Sequence, residues 1–401
     1  IDREEYLIGT YYVALSPRLD AWMLARMAAE EQSTGTWVPV PENTPELRAK
    51  FTGKVLGVYE VPNYEFAIPK NIEERHYIIQ IGFPTRLITD HIPMMLTSLI
   101  GNISMGGKLK LLDITFPNSW LKLFKGPKFG IEGIRNILKV PERPLINNMI
   151  KPCSGYTPEV GAKLFYYAAQ GGVDCIKDDE LIANAPYNRI EDRVPLYMEM
   201  RDKAKEETGE DTLYCCNITD RLDRIKENAL KVQDAGGNCL MLNYLVCGLP
   251  VLRDLAEDPE IKLPILAHMD FAGAIYESPF SGVSSFLVMG KFARLAGADI
   301  IVYPAPYGKA PFLKEKYLTI AKAARYRFGS LKPMFPMPSG GITPGMVPEV
   351  VRDLGTDVMI GTGGGIHAHP DGPKAGGRAF RQAIDICMKH LEEASEDFED
   401  Y

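Results

Sequence analysis

Eight short apolar runs, each followed by a helical stretch, fill the chain from Pro144 onward and constrain the fold more than any other feature. They cover residues 145–150, 173–177, 213–217, 239–243, 265–268, 300–303, 334–338 and 358–361. Runs this short suit strands buried on both faces, and strands alternating with helices predict a parallel sheet. Eight such units match a (β/α)₈ barrel, a TIM barrel. Residues 1–125 read differently, with strand-like segments at 6–14, 76–82 and 108–116 and a helix-like segment at 18–31. The expected class is α/β: a small α+β domain over 1–125, then a barrel domain with a C-terminal helical tail over 126–401. A length of 401 residues suits two domains.

Composition excludes some functions. A net charge of −7 argues against a nucleic-acid partner, which would want a basic face. The apolar runs are too short to span a bilayer, and no signal-peptide pattern opens the sequence. Seven cysteines, an odd number with no CxxC pair, predict reduced core thiols in a cytoplasmic protein. The acidic stretch 392–401 reads as a solvated end.

A barrel carries its active site at the C-terminal ends of its strands, so polar residues are expected just after the runs. They are found there: Lys151, then Lys177 with Asp179 and Glu180, Asn217, Asn243 and His268. Tyr307-Gly308-Lys309, Ser339-Gly340-Gly341 and Gly363-Gly364-Gly365 follow the last three runs. Each alone has a plainer reading; Asn217 could cap a helix, and His268 could be a core histidine. Asp179 and Glu180 offer the hard oxygens that Mg²⁺ prefers. Lys177 beside them would repel a cation unless it takes up CO₂ as a carbamate, an anionic oxygen ligand. The alternative is an acid-rich helix N-terminus. Glycine loops after strands seven and eight lie where barrels commonly bind phosphate, because glycine lets the backbone approach an anion closely.

These residues give the chain a resemblance to the RuBisCO large-subunit superfamily, and within it to the RuBisCO-like (type IV) proteins. It rests on Glu31 to Trp37, Ile150-Lys151-Pro152, Gly171 to Glu180, Gly308-Lys309, Pro338 to Ile342 and Gly363 to Pro370. The resemblance implies a ferredoxin-like N-terminal domain before the barrel, and a homodimer or multiple of dimers whose subunits complete each other's active sites. It implies Mg²⁺ held by carbamylated Lys177, Asp179 and Glu180, with Lys151 near the enolate carbon and His268 as acid/base. It further implies that Lys309 rides a mobile loop and meets Glu31 of the neighbouring subunit, and that Asn102 borders the metal. Thr36, Trp37, Gly341, Gly363 and Gly364 would form a phosphate site, with Ser339 and Gly340 against the substrate.

The departures matter equally. Carboxylases of the family read Lys-Pro-Lys where this chain has Lys151-Pro152-Cys153. They have arginine at Met269 and histidine at Val302, the groups that hold a second phosphate. Losing such charge-assisted bonds removes roughly 1.5–3 kcal/mol each. A monophosphorylated keto-sugar or keto-acid is therefore expected in place of ribulose bisphosphate, and the carboxylase reading is disfavoured. The chain also resembles the family's methionine-salvage enolase in Pro306-Tyr307-Gly308 and in His367 to Gly372. That enolase has lysine at Asn102 and a small residue at Lys309. Keeping Lys309 points to a carboxylate that leaves or moves, as in a sugar-acid phosphate decarboxylase. The rivals are the 2,3-diketo-5-methylthiopentyl-1-phosphate enolase, the methylthioribulose-phosphate isomerase, and a sugar-phosphate-binding protein without turnover. In the shared chemistry a carbamate oxygen or His268 takes a proton, and Lys151 delivers one. Burial and a nearby metal should lower the Lys151 pKa.

Overall fold

A computed structural model of the protein describes residues 1–36 and 38–399. The chain divides into two units, Ile1–Phe124 with Phe271–Val288, and Lys125–Asp270 with Met289–Tyr401. The first unit therefore includes a segment that a single cut near residue 125 would assign to the barrel.

The first unit is built on β1 (Tyr6–Leu15), β2 (Lys54–Glu60), β3 (Arg75–Pro84) and β4 (Leu109–Thr115). β1 pairs antiparallel with β3 and with β4, and β2 pairs antiparallel with β3. β2 escaped the sequence reading because it is an edge strand with only Gly57 buried, so it has no clean alternation. The helix expected from residue 18 starts at Ala21. The Asp20 carboxylate accepts from the backbone N–H of Trp22 (2.8 Å) and Met23 (3.2 Å) and sets that boundary. Ala21, Ala25 and Ala29 form its buried stripe at one-turn spacing. In the excursion, Gly282–Val283 (β10 in chain order) runs parallel to β4. Lys110 Nζ donates to the carbonyl of Tyr276 at 2.7 Å.

The second unit holds eight parallel strands: β5 (Leu145–Met149), β6 (Cys175–Lys177), β7 (Leu213–Asn217), β8 (Cys239–Leu242), β9 (Ile265–Ala267), β11 (Ile300–Pro304), β12 (Phe335–Ser339) and β13 (Met359–Thr362). Each matches one expected run to within about two residues at either end. Leu213 and Cys215, Cys239 and Met241, Ile300 and Val302, and Phe335 and Met337 alternate into one interior core. The residues between them, such as Tyr214, Cys216, Leu240 and Ile301, are buried as well. Burial on both faces is why the runs read as continuous apolar stretches. All seven cysteines are free. Cys175 and Cys239 each lie close to Cys215, at 3.1 and 3.2 Å between sulfurs.

Hydrogen-bonded ladders run from β12 through β11 and β9 round to β5 and β13, and among the described residues none joins β12 to β13. Phe335 N–H donates to Asp299 on the β11 side. Alternation then turns positions 336 and 338 toward β13, and both are prolines, which have no N–H to give. The two strands nevertheless approach closely: a Cβ at Gly361 would fall 2.6 Å from Ser339 Cβ. No helix among the described residues is long and apolar enough to cross a membrane.

Candidate active site

The end of β6 brings the charged residues together. Lys177 is fully buried. Its Nζ donates to the Asp178 carbonyl at 2.9 Å and lies 3.7 Å from Glu180 Oε2. Lys151, just past β5, donates to Asp179 Oδ2 at 2.8 Å and to Cys153 Sγ at 3.1 Å. Glu180 Oε2 is 3.2 Å from His268 Nε2 at the end of β9. Five of the expected residues thus form one cluster. Burial pulls the Lys177 amine below its ordinary value, and the Lys151 charge adds to this against Glu180 and Asp179. Burial pushes the Asp179 carboxyl up, but the Lys151 bond and both ammonium charges outweigh it and leave it lowered.

Lys151 corrects an expectation. Burial pulls its amine down, yet the bonds to Asp179 and Cys153 more than offset this, and its pKa is raised. The lowered value was expected from burial and a nearby metal; burial acts in that direction, and the bonds to Asp179 and Cys153 reverse it.

His268 is held neutral, first by burial and then by the Lys177 charge. Its Nδ1 accepts from the Asp270 N–H at 3.1 Å, which leaves the proton of the neutral ring on Nε2, toward Glu180. The ring as placed offers a donor there, the acid half of the expected acid/base role. Asp270 Oδ1, 3.5 Å from Nδ1, is a neighbour the sequence reading passed over, although a carboxylate two residues beyond the histidine was the available signal.

A cavity of about 630 Å³ opens over this cluster, with Lys151, Glu180 and His268 on one wall and the glycine loops on another. Ser339, Gly340, Gly341, Gly363 and Gly364 line it, as does Lys309. Gly341 needs its glycine: φ is +83°, and a Cβ would sit 3.3 Å from the Lys309 nitrogen. Gly363 packs directly on the lysine stem, where a Cβ would lie 3.4 Å from Lys151 Cε. The short helix Gly364–His367 begins with no side-chain cap. Met269 lines the cavity with a thioether, and Val302 is fully buried in the barrel core.

Glu31, Thr36 and Asn102 belong to the first unit. There Asn102 Nδ2 donates to Glu31 Oε1 at 3.3 Å, and the Thr36 hydroxyl donates to the Val38 carbonyl. Trp37 lies outside the described residues.

Among the described residues no three His, Cys, Asp or Glu side chains converge as a ligand set. Asp179 and Glu180 supply two carboxylates, and the third group at the same point is the Lys177 amine. The donor set suits a hard divalent cation once that amine is a carbamate, and does not suit one before.

Residues 1–120 match the family described as ribulose bisphosphate carboxylase large chain, N-terminal domain, and residues 130–401 match its catalytic domain. A ribulose bisphosphate carboxylase-like protein of Archaeoglobus fulgidus is 58% identical over 389 residues, which cover 97% of this chain and 89% of that one. A 2,3-diketo-5-methylthiopentyl-1-phosphate enolase of Bacillus cereus is 40% identical over 365 residues, 89% of this chain and 86% of the enolase. The crystal structure of a rubisco-like protein (MtnW) from Alicyclobacillus acidocaldarius superposes with a TM-score of 0.89 at 34% identity, covering 98% of this chain and 96% of that one. Matched along both domains, the chain belongs to the RuBisCO large-chain family and stands among its RuBisCO-like proteins.

Proposed function

We propose that this protein is a Mg²⁺-dependent enzyme that enolises a singly phosphorylated keto-sugar or keto-acid. The observation that carries this reading is a single cavity lined by Lys151, Glu180 and His268 and by the glycine loops, with buried Lys177 and Asp179 beside Glu180 and Lys151, while Met269 and Val302 stand where a second anion would need partners. Ribulose bisphosphate would place an unpaired dianion at that end, a cost no nearby side chain offsets.

Lys177, Asp179 and Glu180 would hold the ion. Burial favours the neutral Lys177 amine, the form whose nitrogen lone pair adds to CO₂ carbon with loss of a proton. When bound, the ion would polarise the substrate carbonyl and stabilise the negative charge that develops as the adjacent proton leaves. With Asp179 serving as a ligand, Lys151 would give up that carboxylate partner and keep only the Cys153 bond against the pull of burial. Freed in this way, Lys151 can hydrogen-bond the substrate oxygen and return a proton to carbon. The loops at Gly341, Gly363 and Gly364, with Thr36 and Trp37, would take the phosphate. Glu31, Thr36, Trp37 and Asn102 would enter the barrel of a partner subunit, so the working unit is a dimer or a multiple of dimers.

Lys309 favours a substrate carboxylate that is expelled or moved, hence a decarboxylase of a sugar-acid phosphate. A second reading, the methionine-salvage enolase, is favoured by the identity to proteins of that name and opposed by Asn102 and Lys309.

The test is solvent-deuterium exchange into a panel of singly phosphorylated ketones, with CO₂ and Mg²⁺ supplied, beside ribulose bisphosphate with labelled CO₂. Exchange into a monophosphate and no labelled phosphoglycerate is expected; clear labelling would sink the reading. Heat of binding without exchange would mark a binding protein. Lys309→Ala should abolish most CO₂ release by a decarboxylase and matter less to an enolase.

A further inference from the structure

Arg193 lies in the apolar stripe of the helix Ile190–Thr208, beside Ile190, Val194 and Tyr197, and is fully buried. Its guanidinium donates to Asp178 Oδ2 at 2.9 Å, to the Tyr214 hydroxyl at 2.9 Å and to the Asn188 carbonyl at 2.7 Å. Asp178, equally buried, also accepts from the Tyr214 hydroxyl at 2.7 Å and from the Asn217 N–H at 2.9 Å. Three groups from the helix and from β7 therefore grip one carboxylate, and it belongs to the residue between Lys177 and Asp179. Along an extended chain neighbouring side chains point to opposite faces. Asp178 is anchored in the barrel wall, while Lys177 reaches toward Glu180, which lines the cavity, and Asp179 meets Lys151, which lines it too. Two further bonds hold the same loop, from Asn243 Nδ2 to the Glu180 carbonyl (3.1 Å) and from Asn217 Nδ2 to the Ile182 carbonyl (2.9 Å).

A buried ion pair is weak support for stability, since apolar residues of similar volume often serve as well. Its position behind the candidate ligands calls for another account. We propose that Arg193 is a positioning residue, which through Asp178 fixes the end of β6 so that Lys177, Asp179 and Glu180 converge on one cation. This rests on the metal reading proposed above.

The experiment is Mn²⁺ binding by electron paramagnetic resonance at saturating CO₂, with unfolding by circular dichroism in parallel. The variants are Arg193→Lys, Tyr214→Phe and the charge-neutral pair Arg193→Met with Asp178→Asn. The pair should fold and raise the Mn²⁺ dissociation constant about 10- to 100-fold, the range for groups that orient metal ligands. Tyr214→Phe should raise it less, and Arg193→Lys should fall between wild type and the pair. Folded variants that bind Mn²⁺ as wild type does would overturn the proposal. Should the pair fail to fold, unchanged affinity in Tyr214→Phe overturns it alone. A wild type with no CO₂-dependent Mn²⁺ signal overturns the metal reading itself, and the clamp with it.

Discussion

The two ends of the barrel both bury charge, and, the Asp178–Arg193 pair apart, they treat it in opposite ways. At the N-terminal end each buried charge meets fixed partners. Asp299, before β11, accepts from the N–H groups of Phe129, Gly130 and Ile265, each at 2.8 Å. Asp174, before β6, takes both arms of Arg143 at 2.8 Å and the Ile146 N–H at 2.9 Å. Arg135 binds Asp357 and the carbonyls of Val140, Arg143 and Thr356. At the C-terminal end the lysines are paired with the very carboxylates that a cation would claim. Lys177, buried completely, has among the described residues only a carbonyl at bonding distance and a carboxylate at 3.7 Å. Charge that is locked by backbone serves the fold; charge whose partners can be exchanged serves chemistry.

The sharpest way to break this contrast is to remove one cation from each end. Lys177→Ala should cost turnover about a thousandfold or more, as expected when a metal site worth several kcal/mol is lost. Its melting temperature should hold or rise, because a poorly partnered buried amine has gone. Arg143→Ala should do the reverse, losing about 3–5 kcal/mol of stability by stranding Asp174 while turnover per folded molecule is kept. Urea unfolding and steady-state rates on the same preparations decide; an unfolded Lys177→Ala beside a stable, inactive Arg143→Ala would abolish the distinction.

A smaller effect sharpens it. Burial raises the Asp299 carboxyl to about 6 against the pull of its three N–H donors. With the native value above the unfolded one, the native state binds more protons between about pH 4 and 6. Its stabilising contribution is therefore complete below that window and is lost as pH climbs through it, by up to about 3 kcal/mol. The stability difference, wild type minus Asp299→Asn, should fall across the window and level off above pH 6. A difference that stays flat would mean that the three N–H donors cancel the effect of burial, and one that rises that they dominate.

What could be read from the sequence follows the same division. The eight strands were legible because burial on both faces writes itself as local apolar runs, and Lys151, Lys177 and His268 were legible because they interrupt those runs at their ends. Arg193 was not, although its charge inside the stripe of Ile190, Val194 and Tyr197 was a visible anomaly; its partner Asp178 is fifteen residues away and was hidden among acids proposed as metal ligands. The pairing of Lys151 with Asp179 depends on tertiary neighbours, which no spacing reports. β2 and β10 were missed because an edge strand and a two-residue strand carry too few buried positions to set a period.

The excursion at Phe271–Val288 has a consequence for inheritance. The units are joined at three places in the chain, after Phe124, after Asp270 and after Val288, so the barrel is not a cassette that recombination could exchange with a single crossover. A splice near residue 125 would carry β10 away from β4, the strand it pairs with. The stretch that leaves the barrel directly behind His268 belongs to the first unit, and substitutions there are answerable to that unit's sheet although the sequence sets them among the barrel's strands.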